Sequence, residues 1–329
     1  MLFRSWARTW GGSSDDWGCS VAVDGSGNAY VGGDFCGTVD FDPGPGVDKY
    51  SSNGSKDNFL SKFDSSGNFL WACTWGGGGD DWGYSVAVDG SGNAYVTGFF
   101  YGTVDFDPGS GVDNHTSVGD EDIFLSKLDS LGNFKWARTW GGIGLDSGEH
   151  VAIDVSGNAY VGGDFIGTVD FDPGPGVDNH SQCNGCGIFL SKFDSSGNLN
   201  WARTWDGNGW DKYYPVAVDG SGNAYVTGWF QGTIDFDPGP SVDNHTSNGH
   251  YDICLSKFDS TGNFKWTRTL GGIEWDYGHG VAVDGLGNAY VTGCFSGTVD
   301  FDPGSGVDNH TSNGYCDVFL IKFLPNGNW

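Results

Sequence analysis

An internal repeat of constant length, free of insertions and deletions, constrains this chain more than any other feature. The motif Gly-Asn-Ala-Tyr-Val occurs five times, with its asparagine at Asn28, Asn93, Asn158, Asn223 and Asn288, so the residue number increases by 65 from each copy to the next. A fixed period of this kind is typical of repeat architectures, in which each copy is one supersecondary unit that packs on its neighbours. The fold must therefore consist of five equivalent units.

Each copy predicts four β-strands. In the second copy these are residues 85–89 and 93–98, which flank a Gly-Ser-Gly turn, and residues 122–129 and 134–140, which alternate with period two. Four antiparallel strands per repeat is the composition of a propeller blade. The insert between the second and third strands, residues 102–119, predicts a long hairpin loop with a short extra strand at 102–106.

The phase of the repeat relative to the chain predicts how the fold closes. Trp6 and Trp10 lie one full repeat before Trp71 and Trp75, so the chain begins with a fourth strand and ends after a third one. We predict an all-β fold, a single five-bladed β-propeller formed by residues 1–329, in which the N-terminal strand at 6–10 completes the last blade. The blades are expected at residues 11–75, 76–140, 141–205, 206–270 and 271–329.

This 3+1 closure would hide a sheet edge that is otherwise unpaired. Two alternatives are a β-solenoid, whose coils are usually shorter, and a polymer in which residues 6–10 pair with the next molecule.

The composition restricts the partners. The formal charge of −27 comes mainly from aspartate, a turn-forming residue, and an acidic surface repels phosphate, so nucleic acid is not an expected partner. No apolar stretch is long enough for membrane insertion. We expect an extracellular or bacterial cell-surface protein, although the first residues lack a signal peptide; the leader would then be missing, or the chain would be part of a larger protein.

Three motifs carry a family resemblance. Gly-Asp-Asp-Trp-Gly-Tyr-Ser-Val-Ala-Val-Asp at residues 79–89, Gly-Asn-Ala-Tyr-Val-Thr-Gly after it, and Asp-Ile-Phe-Leu-Ser-Lys-Leu-Asp at 122–129 resemble the bacterial SBBP-type β-propeller repeat. The resemblance covers practically the whole chain, and it implies the propeller fold and a secreted or surface location. It implies no catalytic residue, and the aspartate-rich insert departs from the family's usual pattern.

The insert is the candidate metal site. Each copy contains Asp-Phe-Asp-Pro-Gly-x-x-Val-Asp, and Ca²⁺ prefers six to eight oxygen ligands on a flexible loop. The alternative is that these aspartates only cap turns through backbone N–H groups. The candidate calcium ligands are Asp40, Asp42, Asp48, Asp105, Asp107, Asp113, Asp170, Asp172, Asp178, Asp235, Asp237, Asp243, Asp300, Asp302 and Asp308. No organic cofactor is expected.

Aromatic residues that differ between copies are candidates for ligand binding. Trp17, Trp82 and Tyr277 share one repeat position, and Trp210 and Trp275 share another, two residues earlier. All lie where the first strand begins, on one predicted rim. Exposed rings there would stack on sugars and make a glycan-binding surface, whereas the alternative is that they only cover the joints between blades.

Two pairs of cysteines are candidates for disulfides. An antiparallel hairpin could bring Cys294, at the end of a second strand, close to Cys316, at the start of the next. Cys183 and Cys186 lie in one insert and could form a tight loop disulfide, and no second pair nearby would complete a zinc site.

The repeated acids argue against catalysis. An enzyme needs groups in different environments, whereas these acids occur in near-identical surroundings, and no GxSxG, HExxH or P-loop motif is present. We predict a non-catalytic extracellular scaffold that presents five equivalent loops to a glycan or a surface protein, with gains from avidity. The alternatives are a self-assembling structural subunit of a surface layer or filament and, less favoured, a glycosidase-like enzyme.

Overall fold

The structure is a computed structural model that describes residues 5–182, 185–206 and 214–329. Within these ranges every regular element is a β-strand, and no helix is long and apolar enough to cross a membrane. The strands are β1 (Asp16–Val23), β2 (Ala29–Phe35), β3 (Thr38–Asp40), β4 (Lys49–Ser51), β5 (Asp57–Phe63), β6 (Phe69–Trp75), β7 (Trp82–Val88), β8 (Ala94–Asp105), β9 (Asn114–Leu128), β10 (Phe134–Trp140), β11 (Ser147–Ile153), β12 (Ala159–Phe165), β13 (Thr168–Asp170), β14 (Asn179–Ser181), β15 (Gly187–Phe193), β16 (Leu199–Asp206), β17 (Val216–Val218), β18 (Ala224–Phe230), β19 (Thr233–Asp235), β20 (Asn244–Thr246), β21 (Asp252–Phe258), β22 (Phe264–Leu270), β23 (Tyr277–Val283), β24 (Ala289–Phe295), β25 (Thr298–Asp300), β26 (Asn309–Thr311) and β27 (Asp317–Phe323).

The chain divides into two compact units, Met1–Val151 and Ala152–Trp329. The first contains the sheets β1-β2-β5-β6 and β7-β8-β9-β10 and the hairpin β3-β4. The second contains the sheets β17-β18-β21-β22 and β23-β24-β27 and the hairpins β13-β14, β19-β20 and β25-β26. Strand β11 includes the boundary residue Val151 and is the first strand of the sheet β11-β12-β15-β16.

The four-stranded antiparallel repeat predicted from the sequence is confirmed. The fourth strand of the second copy occupies residues 134–140 as expected, whereas the first begins earlier than residue 85, at Trp82. Adjacent strands pair antiparallel; Ala94, for example, faces Leu128 and Thr97 faces Leu125.

The short extra strand predicted in the insert is confirmed, and it pairs with a second short strand, so that the insert is a two-stranded hairpin. In the second copy β8 and β9 continue into it, and Thr103 and Thr116 hydrogen bond across the hairpin at 2.7 Å. Val104 and Phe106 are fully buried and belong to the same core cluster as Phe100 and Phe124. Apolar burial therefore holds the insert against its own sheet, a tertiary effect that local turn composition does not reveal.

The core lies at the joints between successive sheets. In the first unit, Tyr30 and Leu60 of the first sheet pack in one cluster with Val86, Val96 and Phe124 of the second. The second unit repeats this joint between the β12 and β18 sheets, where Tyr160 and Leu190 share a cluster with Val226. Each sheet is thus stabilised mainly by its neighbour.

The last sheet, β23-β24-β27, has three strands, so that β27 is an edge. Its Val318 and Leu320 are 79% and 74% exposed, whereas Ile253 and Leu255, one repeat earlier, are 2% and 1% exposed. An apolar face that is covered at the preceding joint is therefore open on β27.

Candidate functional site

The acid that follows the first strand of each copy is structural. Asp24 Oδ1 accepts hydrogen bonds from the N–H groups of Ser26 and Asn28 at 2.9 and 3.0 Å. Equivalent pairs of bonds form at Asp89, Asp154, Asp219 and Asp284. These acids hold hairpin turns, as their spacing predicts.

The insert acids also bond to the backbone. Asp40 Oδ1 accepts the N–H groups of Asp42 and Asp48 at 3.3 and 2.9 Å, and Asp42 Oδ1 accepts the N–H of Gly44 at 2.7 Å. The other copies repeat these three bonds at Asp105, Asp107 and Asp113, at Asp170, Asp172 and Asp178, at Asp235, Asp237 and Asp243, and at Asp300, Asp302 and Asp308.

The third insert acid of four copies also faces a histidine. The imidazole Nε2 lies 3.3 Å from the carboxylate in the pairs His115–Asp113, His180–Asp178, His245–Asp243 and His310–Asp308. Across residues 5–182, 185–206 and 214–329, no group of three or more His, Cys, Asp or Glu side chains is arranged to hold a metal ion. The geometry therefore shows acids used by turns, and calcium binding by the inserts stays a prediction.

Four repeat positions differ in nearly every copy, although the strands and turns around them keep nearly the same sequence; we call these constant strands and turns the frame. In the first copy they are Trp17, Cys19, Asp34 and Lys56, and we call the four positions the variable cluster. The later copies have Trp82, Tyr84, Phe99 and Glu121; Ser147, Glu149, Asp164 and Cys186; Lys212, Tyr214, Trp229 and Tyr251; and Tyr277, His279, Cys294 and Cys316.

In the first unit the variable cluster places a lysine between two indoles. Lys56 Nζ lies 3.9 Å from the ring centre of Trp82 and 5.8 Å from that of Trp17, and it pairs with Asp34 at 2.9 Å. Cys19 Sγ lies 3.8 Å from the same carboxylate, and burial raises the pKa of its thiol to about 11. Of the two predicted sugar-stacking rings, Trp17 is 59% exposed, while one face of Trp82 is covered by the ammonium.

A β-bulge brings neighbouring positions of the variable cluster together. In β7 the register shifts at Tyr84, between Gly83 and Ser85. As a result, Trp82, Tyr84 and Phe99 contact one another with ring centres 5.8–5.9 Å apart. Positions 82 and 84 lie on the same face of β7 by strand alternation, and Phe99 pairs with Trp82 in the ladder, so the three rings share that face beside the bulge.

In the second unit the variable cluster is aromatic. Tyr277 stacks on His279 with ring centres 5.8 Å apart and packs edge-on against Trp229 at 5.1 Å. Tyr251 lies 5.8 Å from Tyr277. Tyr277, a predicted ligand-binding residue, is thus partly covered by its neighbours.

Trp275 lies beside this group. Its indole stacks on the imidazole of His250 at 4.8 Å and meets the exposed ring of Tyr315 at 6.4 Å. His250 and Tyr315 were not singled out by the sequence patterns, although they occupy the same position in successive copies. The predicted partner of this site, Trp210, lies outside the described residues.

The predicted disulfide pairs have different outcomes. Cys294 and Cys316 are free thiols that share a side-chain hydrogen bond. Burial and then this bond raise the pKa of Cys294 to about 12, and His279 Nε2 lies 3.8 Å from its sulfur. The Cys183–Cys186 pair lies partly outside the described residues, and both disulfides stay predictions.

A cavity that the sequence patterns did not indicate recurs in the two units. In Met1–Val151 it measures about 470 Å³ and is lined by Arg8, Asp42, Pro43, Pro45 and Phe69. In Ala152–Trp329 it measures about 390 Å³ and is lined by Arg203, Asp237, Pro238, Pro240 and Phe264. Each residue of the second set follows its counterpart by three repeats, so one constant frame builds both cavities.

A further group of aspartates is buried away from these sites. Asp81 is fully buried and accepts N–H bonds from Gly77 and Tyr101, at 2.6 and 3.0 Å. Asp122 is 2% exposed, and only one of its oxygens has a hydrogen-bond partner, the N–H of Val118. Burial raises the pKa of both carboxyls to about 6. We assign them to the frame because they bond to local backbone.

Four-stranded antiparallel sheets, repeated at a constant spacing and packed face to face within each unit, define a repeat protein made of β-propeller blades. The constant frame and the variable cluster agree with this class, because blades share a core and differ at their ends. The SBBP β-propeller repeat model matches residues 75–98 and 265–293, one match in each unit. The chain therefore carries SBBP β-propeller repeats, and the resemblance noted from its motifs is confirmed.

Two curated proteins are similar to the chain. An uncharacterized WD repeat-containing protein of Acanthamoeba polyphaga mimivirus is 25% identical over 312 aligned residues, which cover 78% of this chain and 22% of that protein. The regulatory protein FlaEY of Caulobacter vibrioides is 30% identical over 149 residues, covering 44% of this chain and 15% of that protein. The chain thus spans less than a quarter of the length of either relative.

Proposed function

We propose that this chain is a non-catalytic scaffold that binds protein partners through the variable cluster. The observation that carries the proposal is that four repeat positions change from copy to copy while the frame does not, and that their described residues contact one another at the end of the sheets where the first strand begins. A constant frame with a variable end can present five different surfaces to one asymmetric partner. The similarity to a WD repeat-containing protein supports an interaction role, since WD repeats are likewise propeller blades.

The charge and chemistry of the variable cluster favour recognition over catalysis. Its groups include an ammonium between indoles, stacked aromatic rings and thiols whose pKa is raised. A raised pKa keeps a thiol protonated at neutral pH and therefore poorly nucleophilic. Aromatic residues that offer apolar area with a polar edge are enriched at protein interfaces.

Affinity capture tests this role. We expect a variant with Trp17→Ser, Lys56→Ser and His279→Ser to lose at least tenfold in partner capture from extracts of the source cells, because the changes remove two exposed rings of the variable cluster and the ammonium that lies between the indoles. The matched control carries Val155→Ser and Leu286→Ser, which are 86% and 82% exposed in turns at the opposite ends of their strands. Partners held equally by both variants, or no saturable partner at all, would contradict the proposal.

We further propose that residues 6–10 close the fold as a five-bladed ring by pairing with β27. Two observations support this. Trp6 Nε1 and Arg8 Nε bond to the carbonyls of Ser65 and Gly67 at 3.2 and 2.7 Å. Trp201 and Arg203 make the same bonds at a later joint of the repeat, to the carbonyls of residues 260 and 262, at 3.4 and 2.7 Å. The N-terminal segment thus already occupies a fourth-strand position against the first sheet.

The second observation is a cavity of about 380 Å³ beside β27, lined by Phe295, Phe301 and Phe319. In the first sheet the equivalent phenylalanines pack on Ala72 of the fourth strand. Ala7 is the residue one repeat before Ala72, and it would fill the cavity on closure.

Deleting residues 1–10 tests the closure. Closure of the ring would bury Val318 and Leu320 under the next sheet, as Ile253 and Leu255 are buried under β23 and β24. This contributes about 1.5–3 kcal/mol for each side chain, so we expect deletion of the closing strand to lower the thermal midpoint by roughly 5–10 °C and to promote association through the bare edge. Light scattering and calorimetry measure both effects, and deletion of residues 1–5 alone is the control. An unchanged midpoint would count against closure within one molecule.

The open edge also supports a second candidate function, a self-assembling structural subunit. If residues 6–10 pair with β27 of the next molecule, the full chain forms concentration-dependent oligomers and the deletion of residues 1–10 abolishes them. Light scattering on the two proteins therefore separates the two functions. An extracellular or cell-surface location, glycan binding and calcium stabilisation remain proposals from composition and motif, and elemental analysis of the purified protein tests the last.

A further inference from the structure

The cavity lined by Arg8 and Asp42 and its counterpart lined by Arg203 and Asp237 are built by the constant frame, and neither contains a residue of the variable cluster. Both cavities combine a basic group, an acidic group and two proline rings of the insert. Their volumes, about 470 and 390 Å³, fall within the range of about 300–1,000 Å³ that is usual for small-molecule sites.

The guanidinium is fixed in each cavity with donors to spare. Arg203 Nε donates to the carbonyl of Gly262 at 2.7 Å and Nη1 to that of Ala202 at 2.6 Å, while the guanidinium lies over the ring of Trp201 at 5.5 Å. Arg8 is held in the same way by Gly67. Among the described residues no acceptor takes the Nη2 hydrogens of Arg203, so a ligand can accept them without displacing a protein bond.

The opposite wall supplies an acceptor. Asp237 Oδ1 accepts the N–H of Gly239 at 2.8 Å, which fixes the carboxylate, and its Oδ2 has no hydrogen-bond donor among the described residues. Asp237 and Arg203 are both half-buried, as is Asp42 in the other cavity. Each cavity therefore offers a fixed donor and a fixed acceptor beside the apolar faces of two prolines.

We propose that these cavities bind neutral saccharides. A pair of adjacent sugar hydroxyls can accept from the guanidinium and donate to the carboxylate, and the C–H face of the ring can lie on the prolines. A free anion is disfavoured by a chain of net charge −27, and a cation by the arginine. This assignment goes beyond the scaffold role and does not rest on it, and it places sugar binding at the insert rather than at Trp17 or Trp275.

The repeat provides an internal control. In the fourth strand of the first copy, Cys73 replaces the arginine, and its sulfur bonds to the carbonyl of Gly132 at 3.3 Å; at the same joint Ser110 replaces the second proline of the insert. The cavity at the joint of Cys73 should therefore lack the guanidinium that donates hydrogen bonds to the ligand. Several weak sites on one chain would favour a polymeric saccharide, for which avidity exceeds single-site affinity by about 10²–10⁴.

Saturation-transfer NMR and calorimetry on the full chain test the proposal, with glucose, galactose, mannose, N-acetylglucosamine and their soluble neutral polymers as probes. We expect millimolar binding of at least one monosaccharide. The number of sites should fall by one in Arg203→Cys and in Asp237→Asn and rise by one in the double variant Cys73→Arg, Ser110→Pro, with unchanged far-UV spectra. Arg203→Lys, which keeps the charge but loses the planar fork, should weaken that site at least fivefold.

Three results would overturn the proposal: no saturable binding of any probe, a site number that Arg203→Cys and the double variant Cys73→Arg, Ser110→Pro leave unchanged, or binding of acetate and inorganic phosphate in place of the sugars. The Trp17→Ser, Lys56→Ser, His279→Ser variant should retain saccharide binding. Its loss of protein capture alone would then test the scaffold role separately from this site.

Discussion

Replacing Gly98 by alanine should destabilise the fold by about 3 kcal/mol or more. A Cβ atom at this position would lie 1.8 Å from the carbonyl oxygen of Trp82 and 3.0 Å from the ring of Phe124. The first clash is with backbone in the neighbouring strand, so a side-chain rotation cannot relieve it. The equivalent glycines Gly33 and Gly293 are 1.9 and 1.8 Å from the carbonyl oxygens of Trp17 and Tyr277.

Gly90→Ala is the matched control, because a Cβ there meets no atom within 4 Å. Both changes reduce the entropy of the unfolded chain by the same amount, so their difference isolates the steric cost. Urea unfolding followed by tryptophan fluorescence measures the two free energies. If Gly98→Ala lies within about 0.5 kcal/mol of the control, the close approach of β7 and β8 is wrong.

The same glycine links the frame to the proposed function. Gly98 faces Gly83 next to the bulge at Tyr84, whose ring contacts Phe99. A substitution that forces β7 away from β8 should therefore also disperse this part of the variable cluster. We expect Gly98→Ala, measured below its unfolding midpoint, to show reduced partner capture as well as reduced stability.

Much of the frame could be predicted because its causes are local. Turn chemistry around Asp24 and period-two alternation in residues 134–140 depend on neighbours in sequence, and the structure confirms both. The burial of Val104 and Phe106, which turns the insert into a hairpin, depends on a sheet face formed by distant residues. That burial could not be deduced from the insert alone.

The variable cluster escaped prediction for a related reason. Trp17, Asp34 and Lys56 are far apart in the sequence, and they meet only because β1, β2 and β5 pair in a specific register. A signal was nevertheless present, since aligning the five copies shows that these positions vary while their surroundings do not. The recurring cavity left no comparable signal, because Arg203 and Asp237 belong to different copies and both positions are nearly constant.

The second large effect concerns pH, and we expect the protein to be most stable near pH 4–5. Burial raises the pKa of Asp81, Asp122 and Asp252 from 3.8 to about 6. Between these values the folded state binds protons that the unfolded state does not, so stability rises as the pH falls from 7 towards 4. At about 1.4 kcal/mol per pKa unit, each group contributes roughly 1–3 kcal/mol.

Other aspartates set the acidic limit. Hydrogen bonds from Asn288 lower the pKa of Asp284 to about 2. Partial burial alone would raise the pKa of Asp129, but bonds from Lys135 and Asn133 outweigh it and lower that pKa. The stabilising effect of both carboxylates is present above pH 3.8 and is lost as the pH falls through their folded-state values. The two groups of acids thus act in opposite directions on either side of pH 4.

Asparagine substitutions separate this effect from the relief of the −27 charge, which also favours the folded state on acidification. The double variant Asp122→Asn, Asp252→Asn has no ionisable carboxyl at either position. Its free energy of unfolding at pH 7 should therefore be higher than that of the wild type, and should change less between pH 4.5 and 7. Asp284→Asn is the opposite control and should lower stability at pH 7, since its ionised form accepts the turn bonds. Urea midpoints measured from pH 4.5 to 8 decide the matter. A wild-type stability that is flat or increases with pH over this range would show that the buried carboxyls are ionised without cost. It would also show that the packing around Gly141 and Gly271, which leaves no room for a Cβ beside Asp122 and Asp252, is looser than the structure shows.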